Sequence, residues 1–537
     1  MKSSFLTLST LLLLAGCTSL TSYSERPVSV VLDEASVAPD MRPEALPALT
    51  TAEAEDQTVW WQHFGDERLT RLMAKAYAAN RSFAAARANL AAARAAWEYQ
   101  RGALWPSASL GGDLSRARTS ENGLSAAGRR RYTDYNLAAS ARWELDLFGR
   151  TQSLAEAAKA EAQASEADLK AAWVSVSSAL ASSYLELRTL QGRLMVAQDN
   201  LRLQQANYDL MSDRNRAGIT NDLQKNQAEY DLRNTAAAIP SLKAQIVSAE
   251  NAIALLCGVT PGTLPPELIE PELPERAPGS PSSNKDELRM KAAGLRPSGI
   301  PQAESLSLDG GIPADAIRRR PDVYAAERRL KAAAETLGSA KAERYPSVYI
   351  SGSIGLDSLT LGDLFDWDSH FYNFGPGISL PIFRGGQIVA NIDIKTEQQK
   401  AALAQYEEVV LSALGDIRTA LSGYRQEQER LAQLRLGVQA AQNAYDIAAN
   451  KYDAGLGDFF DVLDAQRQLQ TLDEARVVSE GTIAQQQVAL YKALCGGWDE
   501  VTPFPEITPA EVKSARASAP EPLLAPIARE EAAVPAR

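Results

Sequence analysis

Two stretches about 240 residues apart decide how this chain is built: RSFAAARANLAAARAAWEYQRGALWPSASLGG (81–112) and PDVYAAERRLKAAAETLGSAKAERYPSVYISG (321–352). Laid over one another, Leu90 meets Leu330, and Trp105-Pro106-Ser107 meets Tyr345-Pro346-Ser347. Each stretch reads as an Ala-rich helix, a proline stop and the start of a strand. Further along, Arg193 meets Arg430, Tyr208 meets Tyr445, and RAGITNDLQKNQAEYDL (216–232) meets DAGLGDFFDVLDAQRQL (453–469). A chain that matches itself this way is a duplication. Between its halves, the Pro/Gly/Ser-rich stretch 259–313 has little power to form a core.

Each half therefore predicts the order helix, strand, strand, long helical hairpin. The first repeat is placed at 58–258, with strands at about 105–116 and 132–147 and a hairpin over 151–256. The second is placed at 314–500, with strands at about 345–356 and 372–383 and a hairpin over 386–496. Residues 259–313 are assigned to a linker or equatorial region, and 501–537 to a Pro/Ala-rich tail.

The hairpins carry a strict seven-residue spacing. Trp173, Leu180, Leu187, Leu194, Leu201 and Tyr208 form one row; Val410, Ile417, Tyr424, Leu431, Val438 and Tyr445 repeat it. Such a run demands left-handed supercoiled packing, in which period 3.5 replaces 3.6. A continuous helix from Gly149 to Gly218 would reach on the order of 100 Å. The segments between helices have period two instead. Val348, Ile350, Ile354 and Leu356 alternate with Ser347, Tyr349, Ser351 and Ser353. That pattern fits an outer-membrane barrel strand, or a sheet half-buried on soluble helices. Four strands cannot close a barrel, and lipid tolerates no open edge, so a membrane reading requires several chains to pool their strands.

The formal net charge of −12 argues against a nucleic-acid partner. Two histidines, His63 and His370, and three cysteines leave no His/Cys metal cluster and no histidine-based triad. With no nucleotide-binding or nucleophile-elbow motif either, neither an enzyme nor a cofactor is expected. Cys257 and Cys495 each precede glycine at the end of an apolar helical run and read as small buried residues. The leader MKSSFLTLSTLLLLAG (1–16) reads as a signal peptide. Its ending, Leu14-Ala15-Gly16-Cys17, resembles a bacterial lipobox, which implies lipid on Cys17 and a lipid-anchored extended segment over 17–57. A plain signal peptide with a chance cysteine is the alternative.

Five motifs in order carry a resemblance. They are Trp60-Trp61-x-x-Phe64-x-Asp66-x-x-Leu69, Trp143 to Arg150 (WELDLFGR), Arg319-Arg320-Pro321-Asp322-Val323, Leu380 to Gly386 (LPIFRGG) and Asp461 to Gln466 (DVLDAQ). Together, over roughly 58–500, the chain resembles TolC-like outer-membrane efflux proteins, in particular their OprM-like lipoprotein branch. The resemblance implies an α+β membrane protein: a homotrimer pooling four strands per chain into a 12-stranded barrel, continued by a periplasmic helical barrel. It also implies a periplasmic adaptor and an inner-membrane pump, usually proton-driven, as partners of a passive conduit. Protein secretion or metal export by the same kind of duct stays open, as does a non-conducting coiled-coil envelope lipoprotein.

Gly218, Gly455 and Gly457 are read as the chain reversals at the tips of the hairpins, where an adaptor would make contact. Asp458, Asp461 and Asp464 follow at every third residue on one side of the returning helix. Asp458 suits an N-cap and Asp461 a capping-box variant, both favoured by the helix dipole. In the resembled family, residues matching Asp461 and Asp464 line the periplasmic tip of the tunnel, and threefold symmetry would make Asp458, Asp461 and Asp464 a carboxylate ring at a periplasmic pore constriction. Phe459 and Phe460 are expected to pack the hairpin, with a gate as the alternative. Arg116, Arg118, Arg129, Arg130 and Arg131 flank the first strand-to-strand connection as a solvated loop or as ligands for lipopolysaccharide phosphates. The Glu- and Arg-rich helical faces read as exposed surface.

Overall fold

The computed structural model describes residues 57–118, 131–270, 298–303, 317 and 319–494. The signal peptide, Cys17, Arg129, Arg130, Cys495, the C-terminal tail and much of 259–313 lie outside them. The elements are α1 (Glu67–Ala79), α2 (Arg81–Gly102), β1 (Ser107–Arg118), β2 (Arg131–Leu145), α3 (Arg150–Arg216) and α4 (Asp222–Leu256). They continue with α5 (Pro321–Ala342), β3 (Ser347–Ser358), β4 (His370–Ser379), α6 (Gln387–Asp453) and α7 (Phe459–Ala493). The duplication is metrical: α3 and α6 each have 67 residues, and α4 and α7 each have 35. Two compact units divide the chain, one of Ala86–Leu169 with Pro321–Leu411, the other holding the remaining described residues.

In the first unit the four strands form one antiparallel sheet in the order β1-β2-β3-β4. Prolines set several strand bounds, because a residue without N–H cannot join the ladder. β1 starts at Ser107 and β3 at Ser347, each just after a proline, where 105 and 345 were expected. β4 ends at Ser379, two residues before Pro381, so the expected 380–383 is not strand. Leu147 N–H bonds back to the Leu145 carbonyl, which ends β2 at 145 instead of 147.

The junction from β2 into α3 is held by its own side chains. The Glu144 carboxylate clamps the Arg150 guanidinium at 2.9–3.2 Å, and Asp146 accepts the Gln152 N–H at 2.6 Å. Gly149 takes φ 73°, and the Trp143 indole N–H donates to the Leu104 carbonyl at 2.9 Å. Phe148 stacks on Tyr345 at 4.9 Å, tying the two halves of the duplication together.

In the second unit the heptad rows are the core. Trp173, Leu180 and Leu187 are buried there, as are Ile417, Tyr424, Leu431 and Val438; Val410, also buried, belongs to the first unit. Trp60 stacks on Tyr491 at 5.2 Å, while Trp61, Tyr77 and Phe83 surround Trp173. Asp66 caps α1 and also accepts the Tyr184 hydroxyl; burial holds that phenol well above its ordinary pKa. Asn80 joins α1 to α2, accepting the Phe83 N–H and donating to the Leu256 carbonyl. Cys257 is the C-cap of α4, its thiol fully buried against the Leu72 carbonyl and pushed up to about 12 by that burial. Pro240 lies inside α4 without breaking it.

Candidate channel tip and membrane face

The hairpin tips are two copies of one turn. At the first, Gly218 has φ 70° and the Ile219 N–H reaches back to the Arg214 carbonyl at 2.9 Å; at the second, Gly455 has φ 70° and Leu456 reaches Lys451 at 2.8 Å. This is a helix end closed by a left-handed residue, which glycine adopts without steric cost. Gly457 works differently. Its φ is not left-handed, and a Cβ there would lie 3.1 Å from the Lys451 Cβ. Thr220 fills the equivalent place in the first turn, so the reversal itself needs only the first glycine of each pair.

Beyond the turns, Asn221 and Asp458 cap the returning helices. Asn221 accepts from the Gln224 N–H at 3.1 Å, and Asp458 from the Phe460 N–H at 3.2 Å. The Gln224 amide also donates to Asp458 at 3.3 Å, joining the two tips. Asp461 does not close a capping box: its N–H bonds the Asp458 backbone carbonyl, and its carboxylate makes no hydrogen bond or ion pair among the described residues. Aspartate is one methylene shorter than the glutamate that usually makes this contact. Asp461 and Asp464 are both exposed, on the side of α7 away from buried Val462, Leu463 and Gln466. Two carboxylates three residues apart thus face outward together, unneutralised by any ion pair among the described residues.

Beneath the tips, Phe459, Val462 and Leu463 pack with Met211 and Ala228. The Tyr452 ring sits 5.3 Å from Phe459, and the Arg214 guanidinium lies 4.9 Å from the centre of the same Tyr452 ring while donating to its hydroxyl. Phe460 is 49 % exposed and does not pack the hairpin, which corrects the expectation for that residue.

Polar ties run up the hairpins from there. Arg467 grips buried Asp231 at 3.0 Å, Asn207 donates to Gln466 at 2.8 Å, and Arg193 pairs with Glu474 at 2.7 Å. Arg476, 1 % exposed, is neutralised by Asp473 at 2.7 Å and Glu480 at 3.1 Å. These helical faces are therefore not uniformly exposed surface. In sequence, Arg476 and Glu480 look like an ordinary i,i+4 pair, and only the neighbouring helices bury them.

The sheet has two unlike faces. Its register aligns Leu110, Ala139 and Ile354 with Tyr372, and Gly112, Leu137 and Leu356 with His370. The opposite face aligns Asp113, Asn136 and Asp357, and Ser109, Ser140, Ser353 and Asn373. Leu110, Leu114, Ile354, Tyr372, Phe374 and Ile378 are all at least 64 % exposed. An apolar face this naked needs a nonpolar solvent, and a polar face opposite it suits water. Among the described residues no helix is long and apolar enough to cross a membrane.

Residues 72–259 and 312–496 match the outer membrane efflux protein family, and the chain belongs to it. It is 30 % identical over 494 residues to the outer membrane protein OprJ of Pseudomonas aeruginosa, covering 91 % of this chain and 95 % of that protein. It is 29 % identical to the probable efflux pump outer membrane protein TtgC of Pseudomonas putida, over 94 % and 97 % of the two. The solved structure of the outer-membrane channel OprN superposes with a TM-score of 0.73 at 31 % identity, over 86 % of this chain and 99 % of that one. The fold class follows: a duplicated α+β unit whose four strands are one chain's share of an outer-membrane β-barrel, continued by long helices on the periplasmic side.

Proposed function

We propose that this chain is the exit duct of a tripartite efflux system. Three copies close a twelve-stranded barrel and pass small toxic molecules outward from a periplasmic adaptor and an inner-membrane pump. The two-faced, open-edged sheet carries the reading. β1 and β4 each present an unpaired edge, which lipid cannot solvate, so copies must supply the missing partners. The duct does no chemistry, and the pump supplies the energy. OprJ and TtgC, described as outer-membrane proteins, the latter of an efflux pump, support this placement.

In this reading the tips at Gly218, Gly455 and Gly457 meet the adaptor. Asp461 and Asp464, repeated around the threefold axis, form an acidic constriction that concentrates cations and repels anions. Asp458 contributes less, because its carboxylate is engaged in capping and in the bond from Gln224. Residues 1–16 are the signal peptide and Cys17 carries the lipid anchor. Expression of the chain in cells lacking their own exit duct tests the whole. Dye accumulation is expected to fall only when adaptor and pump are supplied together with it. Equal accumulation with and without the chain contradicts the proposal.

A further inference from the structure

The polar face of the sheet carries charges of both signs and keeps them apart. Asp113 and Asp357 share a row with Asn136, and Asp134 stands one row beyond, at the end of the strands away from the helices. Arg142 sits at the other end, opposite Ser107 on one side and Ser351 on the other, three residues before β2 stops. Successive residues alternate between faces and cross-strand partners share one, so all of these side chains stand on the same face. Among the described residues of the four strands, Arg142 is the only cation there.

Nothing on this face cancels its charge. The row of Asp113 and Asp357 lies six residues along β2 from Arg142, about 20 Å at the usual rise and more than twice the Debye length of about 8 Å. Glu144 is nearer, but its carboxylate is clamped by Arg150 at 2.9 Å. The neighbours in Arg142's own row, Ser107, Ser351 and Gly375, are small, and Arg142 is exposed.

The charge is also held in place. Tyr349 lies opposite Glu144 and Gly377, one row closer to the helices, and the Arg142 guanidinium stands over its ring, 4.2 Å from the centre. A Cβ at Gly377 would run into that ring, so glycine is what lets Tyr349 lie across β4. A free arginine samples many rotamers; stacking on an aromatic face restricts this one without removing its charge or its donors.

We propose that Arg142, positioned by Tyr349, is a second ion-selecting residue of the duct, an anion-attracting station on the water-filled side of the barrel and opposite in sign to Asp461 and Asp464. Twelve strands about 4.8 Å apart and tilted by about 40° enclose a backbone circle about 24 Å across, so no point inside lies more than about 12 Å from the wall. That is on the order of the Debye length, so three guanidinium groups act on passing ions by their field and leave the path open. The solutes they favour are carboxylates, phosphates and sulfonates, which the guanidinium fork fits. The inference rests on the duct reading, because only a closed barrel turns this face toward a conducted stream.

The test is planar-bilayer recording of the full-length protein under a KCl gradient, with the potassium-to-chloride permeability ratio read from the reversal potential. R142Q is expected to raise that ratio at least about twofold, because each copy loses a positive charge within reach of the ions. R142E should raise it further, and R142K should match the unaltered protein. A residue that merely supports the sheet would not make ion preference follow the charge in this order. An unchanged or lowered ratio in R142Q and R142E, or R142K behaving like R142Q, overturns the proposal. If R142Q does not assemble, R142M keeps an unbranched stem over the ring and carries the test, and an unchanged ratio in it overturns the proposal. A monomeric, silent protein defeats the duct reading itself; a conducting trimer whose ion preference ignores residue 142 loses only this inference.

Discussion

At the scale of single residues, charge and burial make opposite demands, and the chain separates them. Asp461 and Asp464 remain exposed, while Asp231, Glu480 and Arg476 are buried and paired. Replacing Asp461 and Asp464 by Asn is therefore expected to reduce cation preference in bilayer recordings and leave assembly intact, since neither carboxylate holds a described contact. Gly258 stands at the other extreme. It has φ 68°, and a Cβ would fall 2.2 Å from the Ala79 carbonyl oxygen. Gly258→Ala should cost about 1–3 kcal/mol or more, read as a lower melting temperature. The Cys257 thiol, pushed up to about 12 by burial, is almost entirely protonated at pH 8. It should resist iodoacetamide in the folded protein and react after denaturation; fast labelling of native protein would contradict its burial. The Asp458 cap was legible in the sequence, because aspartate after a glycine reversal has a local cause. The burial of Arg476 was not, because its cause is the packing of other helices.

At the scale of elements, two periodicities held the information. The seven-residue rows from Trp173 and Val410 mark buried seams, and the alternation in 347–358 separates an apolar strand face from a polar one. Register was less legible. Alternation says which residues share a face but not which partners align; that Leu110, Ala139, Ile354 and Tyr372 form one row across the sheet is visible only in the register. Adjacent residues in β4 test the two-faced sheet. Phe374 shares the apolar face with Gly352, and Asn373 shares the polar face with Ser353. Phe374→Lys should cost about 2–4 kcal/mol if that face meets lipid at mid-depth, and should block membrane assembly. Asn373→Lys should assemble and reduce cation conductance. Equal tolerance of both substitutions would refute the assignment of faces.

At the scale of the whole molecule, one chain supplies a sheet with two bare edges and an exposed apolar face. No arrangement of a lone copy hides those edges from lipid, which is why assembly was inferable from strand count alone. The identity of the cargo was not, because a passive duct has no substrate pocket for sequence to encode. The most direct measurement is planar-bilayer recording from protein whose mass in detergent has been determined. The account predicts a trimer that conducts in discrete steps and prefers cations. A protein that stays monomeric in detergent and electrically silent in the bilayer would contradict it.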